Sequence, residues 1–230
     1  SSGEKPQSKV WQYDDQWWAV IPTGTGTWLW QLEQQNWNPV LQLSERTDIQ
    51  ADVKPLDDEA HILLFGGTSS QLVSLEYNDT DSTYQPWSAS PNPVSVTLSS
   101  GVETATLDID SSDRMWIASD AGSTVNVRYS DYPYNNFSSP ITVGSGITSD
   151  DIAAVTSLPT GEVGVLWSDQ NAERFVYRYH LDGASPDQWS PAEYAAGQSA
   201  LSTGDGMADD HLNVAVASDG TLYAAVKTGY

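Results

Sequence analysis

Acidic side chains stand just ahead of four alternating segments of this chain, and their spacing could do chemistry. Asp48 precedes IQADVKP, Glu103 precedes TATLDID, Asp150 and Asp151 precede IAAVTSL, and Asp209, Asp210 and His211 precede LNVAV. Carboxylates in such a set accept hydroxyl protons, hold hard cations, or exchange a proton with a reacting group. His211 stands among them and is the one side chain there whose ordinary titration falls near neutrality. Asp also opens strands and caps turns in any β protein, so position decides between the two roles.

The elements that must position these residues are β-hairpins. In Asp209 to Val226, DDHLNVAVASDGTLYAAV, apolar residues alternate on both sides of Asp219-Gly220, a turn whose Gly can take positive φ. Altered copies run Ala153 to Trp167, Ala105 to Ser119, Ala51 to Phe65 and Lys9 to Pro22. Five hairpins at intervals of roughly 45–60 residues are the spacing of four-stranded propeller blades. The expected class is an all-β propeller: a poorly ordered tail at 1–8, blades at about 9–43, 49–98, 103–143 and 151–194, and the inner hairpin of a fifth at 211–230. Pro86, Pro91 and Pro93 restrict the outer part of blade two to an edge strand or loop. The ring is expected to be incomplete within this sequence, with an edge at Leu222–Val226 that a second polypeptide or a further C-terminal segment would complete.

In such a fold the residues ahead of each inner strand crowd the mouth of the central channel. Asp48, Glu103, Asp150, Asp151 and Asp210 are therefore the candidate ligand-binding set, with His211 beside them. Arg128-Tyr129 and Arg178-Tyr179 fall at equivalent points of two third strands. Those arginines could neutralise a ligand carboxylate, or pair with some of the many acids of the chain. DIDSSD offers Asp108, Asp110 and Asp113 as a candidate Ca²⁺ site, or as a solvated turn; no other cofactor is expected. Of the strand tryptophans Trp17, Trp18, Trp28 and Trp30, half must face outward, and core packing explains the rest.

Nine Lys and Arg stand against 31 Asp and Glu, a formal charge of −22. Nucleic acid is thereby disfavoured as a partner, since phosphate binding needs clustered cations, and an anionic membrane surface is disfavoured likewise. No apolar run approaches the ~20 residues of a membrane span, and no insertion is expected. The chain has no Cys, so disulfides and thiolate metal sites are excluded. Scarce Lys and abundant Asp, Asn, Ser and Thr suit extracellular or cell-surface water, downstream of any leader segment.

Asp210-His211 opening an inner strand, followed by Asp219-Gly220 and an apolar return strand, resembles the repeat of the BNR (Asp-box, sialidase-like) propellers, nearest the branch that includes ulvan-type polysaccharide lyases. The resemblance implies a His at the position of His211 that binds or deprotonates a uronate. The strict pattern S-x-D-x-G-x-x-W is not met, since SSDRMW (Ser111 to Trp116) lacks its Gly. Two functions follow as expectations. One is a secreted carbohydrate-binding or adhesive domain that recognises polysaccharide at the channel mouth. The other is part of a polysaccharide lyase or glycoside hydrolase acting on uronate-containing glycans.

Overall fold

The structure, a computed structural model, describes residues 6–196 and 208–227. The first five residues of the expected tail, the Gly/Ser-rich connector 197–207 and residues 228–230 lie outside the described part. The chain forms two compact units, one of Gln7–Leu98 and the other from Ser99 onward. Among the described residues helix is confined to two three-residue 3₁₀ turns, and no helix is long and apolar enough to cross a membrane.

The first unit holds two sheets. β1 (Val10–Tyr13), β2 (Gln16–Thr23), β3 (Gly26–Glu33) and β4 (Asn36–Ser44) pair in chain order. The β1–β2 hairpin closes through Asp14 and Asp15, both at positive φ (49° and 58°), the paired left-handed conformation of a two-residue turn that matches the strand twist. In the second sheet β5 (Gln50–Leu56), β6 (Glu59–Phe65) and β7 (Ser70–Asn78) are followed by β8 (Thr83–Pro86) and β9 (Val94–Val96), which share the outer side of β7. Pro86, Pro91 and Pro93 account for the break, because proline cannot donate to a ladder.

Ser8, expected in the tail, is ordered. Its N–H donates to Asp52 Oδ1 at 2.6 Å and its carbonyl accepts from Val53 at 2.8 Å. Between the two sheets Trp11, Trp18, Val20, Leu29 and Leu43 meet Val53, Ile62, Leu64, Leu75, Tyr77 and Tyr84. Trp18 and Tyr84 cross edge to face at 4.9 Å, and Trp11 Nε1 donates to Tyr84 Oη at 3.1 Å. Trp18 is fully buried while Trp17 is 45% exposed, the division that strand alternation requires.

The second unit holds three sheets. β10 (Ala105–Ile109), β11 (Arg114–Asp120), β12 (Thr124–Asp131) and β13 (Ile141–Ser145) form one, and β14 (Ala153–Leu158), β15 (Glu162–Asp169), β16 (Arg174–Leu181) and β17 (Glu193–Ala196) the next. β18 (Leu212–Val216) and β19 (Leu222–Val226) make a two-stranded sheet. Trp116, Val125 and Val127 pack against Val155, Val163, Val165 and Val176 between the first two. Ile152, Ala154, Leu166 and Phe175 pack against Ala208 and Leu212 between the second and third.

An innermost blade strand has one edge without a neighbouring strand, and its amides need other partners. β10 supplies them to β14 from side chains spaced two apart. Ala153 N donates to Thr104 Oγ1 (3.4 Å), Val155 N to Thr106 Oγ1 (2.8 Å) and Ser157 N to Asp108 Oδ2 (2.7 Å). All three acceptors are buried. Thr106→Val keeps the shape and strands the Val155 N–H, at a cost of about 1–3 kcal/mol. Thr106→Ser keeps the oxygen and should lose much less. Urea midpoints of the two variants beside the parent measure the difference, and equal midpoints for Val and Ser would mean that solvent already serves this amide.

Candidate functional site

The mouth of the second unit is built by the residues ahead of its three inner strands. One carboxylate oxygen each of Glu103, Asp150 and Asp210 lies within 4.8 Å of the other two, although the residues come from three different sheets. Asp209, Asp210 and His211 form a second group of the same tightness, with Asp210 common to both. His211 Nδ1 stands 2.9 Å from Asp209 Oδ1 and 2.5 Å from Asp210 Oδ1, and Lys227 Nζ is 3.3 Å from Asp209 Oδ2. The hydrogen bond with Asp210, then those from His211 and Lys227, hold the Asp209 carboxyl well below the usual carboxylate range.

The starts of β10 and β14 are pinned by polar side chains at the end of the neighbouring second strand or within the preceding turn. The Asp120 carboxylate, fully buried at the end of β11, accepts from Glu103 N (2.9 Å) and Thr104 N (2.7 Å). Thr104 Oγ1 lies 3.5 Å from the same carboxylate while it accepts from Ala153, so one chain of bonds joins the starts of two inner strands. At the next sheet Ile152 N donates to Ser168 Oγ (3.0 Å), and Asp151 accepts from Thr148 N (2.7 Å), Thr148 Oγ1 (3.1 Å) and Gln170 N (3.1 Å).

The expected set therefore divides. Glu103, Asp150 and Asp210 come together, with His211 against Asp210. Asp151 does not join them: it is fully buried and its carboxylate fastens the loop behind Asp150 by accepting from Thr148 and Gln170. Asp48 belongs to the first unit, where Arg46 grips it through Nε (3.1 Å) and Nη2 (3.3 Å) and keeps its carboxyl below the usual range.

Arg178 is committed to three backbone carbonyls, those of Ser190 (2.6 Å), Val143 (2.8 Å) and Trp189 (3.3 Å), and so ties the outer strand β13 to the segment ahead of β17 rather than meeting a ligand. Arg128 is buried in the third strand β12, and burial lowers its pKa. Asp108, Asp110 and Asp113 do not converge. Asp108 accepts from Ile109 N and Ser157 N, and Asp110 from Ser112 N, Arg114 N and, at 2.8 Å, Trp116 Nε1. Among the described residues the two groups at the mouth are the ones with metal-ligand spacing. Counted back from Trp116, the Gly of the Asp-box pattern falls on Asp113, which takes the left-handed φ of 59° that a Gly would take there.

Lys227 escaped the sequence reading. Its signal was available in the hairpin: pairing outward from Asp219-Gly220 sets residue 227 opposite 211, and Lys227 N indeed donates to His211 O at 3.0 Å.

No protein-family model matches the chain, and no curated protein matches it. Among solved structures it is similar to α-L-arabinofuranosidase from Lactobacillus brevis, with a TM-score of 0.50 and 11% identity over 98% of this chain and 85% of that one. The fold is a β-propeller. Among the described residues it has four complete blades and the inner hairpin of a fifth. A GH43 β-1,3-galactosidase aligns with 82% of this chain and 48% of its own at a TM-score of 0.44 and 11% identity, too slight a likeness to carry an argument.

Burial pushes Asp120 up to about 6, against the backbone N–H bonds from Thr104 and Glu103 that pull it down. A raised carboxyl favours folding below its unfolded value of 3.8, and that contribution is lost as pH rises through about 6. Asp120→Asn keeps an accepting oxygen and removes the titration. Between pH 4 and 6.5 the parent should therefore lose up to about 3 kcal/mol more stability than the variant, read from urea unfolding at both pH values. Parallel pH profiles would show that Asp120 is better solvated than its burial implies.

Proposed function

We propose that this propeller cleaves glycosidic bonds by hydrolysis at the mouth formed by Glu103, Asp150 and Asp210. The convergence of those three carboxylates from three inner strands carries the reading. Carboxylates this close repel one another unless a proton, a cation or the hydroxyls of a ligand lie between them. Glycoside hydrolysis uses such a pair, one carboxyl giving a proton to the leaving oxygen and the other facing the sugar carbon or its attacking water. Glu103, Asp150 and Asp210 are the candidates for the two roles, and His211, held 2.5 Å from Asp210, is within reach to exchange a proton with it. The acid-rich, lysine-poor composition supports a site of action outside the cell, on polysaccharide.

A second reading is a polysaccharide-binding or adhesive domain without turnover. It is favoured by the closed network of Asp209, Asp210, His211 and Lys227, which suits a fixed array of hydroxyl contacts. Lyase action on uronate glycans, the property of the family that the fifth hairpin resembles, draws support from His211 and Lys227 and loses the help of Arg178, which is spent on carbonyls.

The test sets the parent beside Asp210→Asn and Glu103→Gln on 4-nitrophenyl α-L-arabinofuranoside and a panel of soluble polysaccharides. Hydrolysis predicts new reducing ends that fall by about 10²–10⁴-fold in both variants while the fold is kept. Products absorbing at 235 nm would replace hydrolysis by elimination. Retardation in polysaccharide gels without turnover would establish the binding reading, and no response of any kind would sink the carbohydrate assignment.

A further inference from the structure

At the mouth end of the second unit, the loop between β15 and β16 carries a side-chain arrangement that the three carboxylates do not use. β15 pairs with β14 so that Asp169 falls level with Asp151, and Arg174 stands opposite Asp169 as the first residue of β16. The loop between them is tied to the segment that bears Asp150. Gln170 N donates to Asp151 Oδ1 (3.1 Å), and Asn171 Nδ2 donates to the Gly146 carbonyl (2.7 Å). Arg174 is therefore fixed at the same end of the sheet as Asp150.

The guanidinium is held on two sides. Its Nε is shut off from solvent and lies 3.4 Å from Asp169 Oδ2, while Asp169 Oδ1 accepts from Ala172 N at 3.1 Å. Its Cζ lies 4.1 Å from the ring centroid of Tyr194, a cation–π contact. Tyr194 belongs to β17, where Phe175 pairs with Ala196 and Tyr177 with Glu193, so Tyr194 and Ala195 together oppose Val176. Bulges of this kind re-aim a side chain. With the guanidinium on one face, Tyr194 is still 57% exposed, which leaves the other face of the ring open.

That open face lies on the blade-three side of the sheet. Side chains alternate along β16: Phe175 and Tyr177 pack with Leu212 of the fifth sheet, whereas Val176 packs with Val143 of blade three and Arg178 bonds the Val143 carbonyl. Arg174 shares the parity of Val176 and Arg178, and the Tyr194 ring lies against it. Among the described residues Nη1 and Nη2 of Arg174 have no partner, and they remain as hydrogen-bond donors. Asp169 already balances their charge, and a chain of −22 repels anionic polymers, so the arrangement suits a neutral ligand rich in hydroxyls.

We propose that Tyr194 and Arg174 form a distal subsite for a neutral sugar ring, and that the ligand of the mouth is an oligosaccharide or polysaccharide long enough to lie across blade four. The proposal rests on the carbohydrate reading of the mouth. From β14 to β16 and β17 is two to three strand spacings, about 10–15 Å, a span that a single sugar cannot bridge. Tyr194 offers its open face to the C–H face of the sugar, and Arg174 donates to hydroxyls at the rim. The cation–π contact and Asp169 order both side chains before the ligand arrives, which lowers the entropy lost on binding.

Affinity electrophoresis of the full chain reads binding without turnover. The gels hold xylan, glucomannan or galactan as neutral polymers and polygalacturonate as an acidic one. At least one neutral polymer should retard the parent, and polygalacturonate should not. Tyr194→Ala should weaken that binding at least tenfold, whereas Tyr194→Phe, which keeps the ring, should stay within about threefold. Arg174→Met, which keeps the stem and loses the donors, should weaken it at least threefold, and it carries the test if Tyr194→Ala fails to fold. Equal retardation of the Ala and Phe variants, or of Arg174→Met and the parent, would overturn the subsite. So would a parent that no polymer retards, and retardation by polygalacturonate alone would overturn the neutral class. Failure of the hydrolytic reading shows separately, as turnover that Glu103→Gln leaves unchanged while retardation still depends on Tyr194.

Discussion

An innermost propeller strand exposes one row of amides to no strand at all, and everything at the mouth depends on how that row is satisfied. In the second unit β10 meets it with Thr104, Thr106 and Asp108, whose oxygens take the N–H groups of Ala153, Val155 and Ser157. A side-chain ladder of this kind holds two blades in register at the spacing of a strand, where hydrophobic packing alone would allow them to slide. Because Thr104 also leans on Asp120, which grips Glu103, the ladder and the mouth are one bonded structure. Register between blades and convergence of Glu103 with Asp150 are thus the same constraint.

The acids of the chain fall into two populations. Asp108, Asp110, Asp120 and Asp151 are buried, and backbone amides or an indole fill their carboxylates. Asp182, only partly buried, also serves the scaffold: it takes both the amide (3.0 Å) and the hydroxyl (2.5 Å) of Ser111 and fastens the turns of two blades. Such groups shape the scaffold, because their oxygens are already occupied by donors of the protein itself. Glu103, Asp150 and Asp210 are set apart by position, since their carboxylates meet one another from three inner-strand entries. With His211 and Lys227 against Asp209 and Asp210, the mouth holds both signs of charge within hydrogen-bond reach, the condition for proton exchange with a bound hydroxyl.

Much of this was legible in the sequence, because period-two patterning and turn residues report local structure. LNVAV and LYAAV around Asp219-Gly220 became β18 and β19, and the prolines of blade two marked its broken outer strand. The position of carboxylates ahead of inner strands was also readable. What could not be read was the outcome of one-residue choices and of long-range bonds. Asp150 and Asp151 are identical in kind and differ only in which side of the chain they take, which Thr148 and Gln170 decide. Arg178 looked like a ligand cation because its partners are carbonyls, and a carbonyl leaves no mark on composition. The acids of DIDSSD looked like a metal loop for the same reason: the donors that fill Asp108 and Asp110 include Ser157, from the next blade.

The measurement that bears most directly on the mouth is a double-mutant cycle between Glu103→Gln and Asp150→Asn, read as unfolding free energy at low and at high salt. These residues are 47 positions apart in the sequence, and only convergence of the inner strands can couple them. The expected result is a coupling above about 0.5 kcal/mol at low salt, with the sign of relieved repulsion, that shrinks as salt screens the pair. Strict additivity at both salt concentrations would contradict the meeting of the two carboxylates, and with it the site.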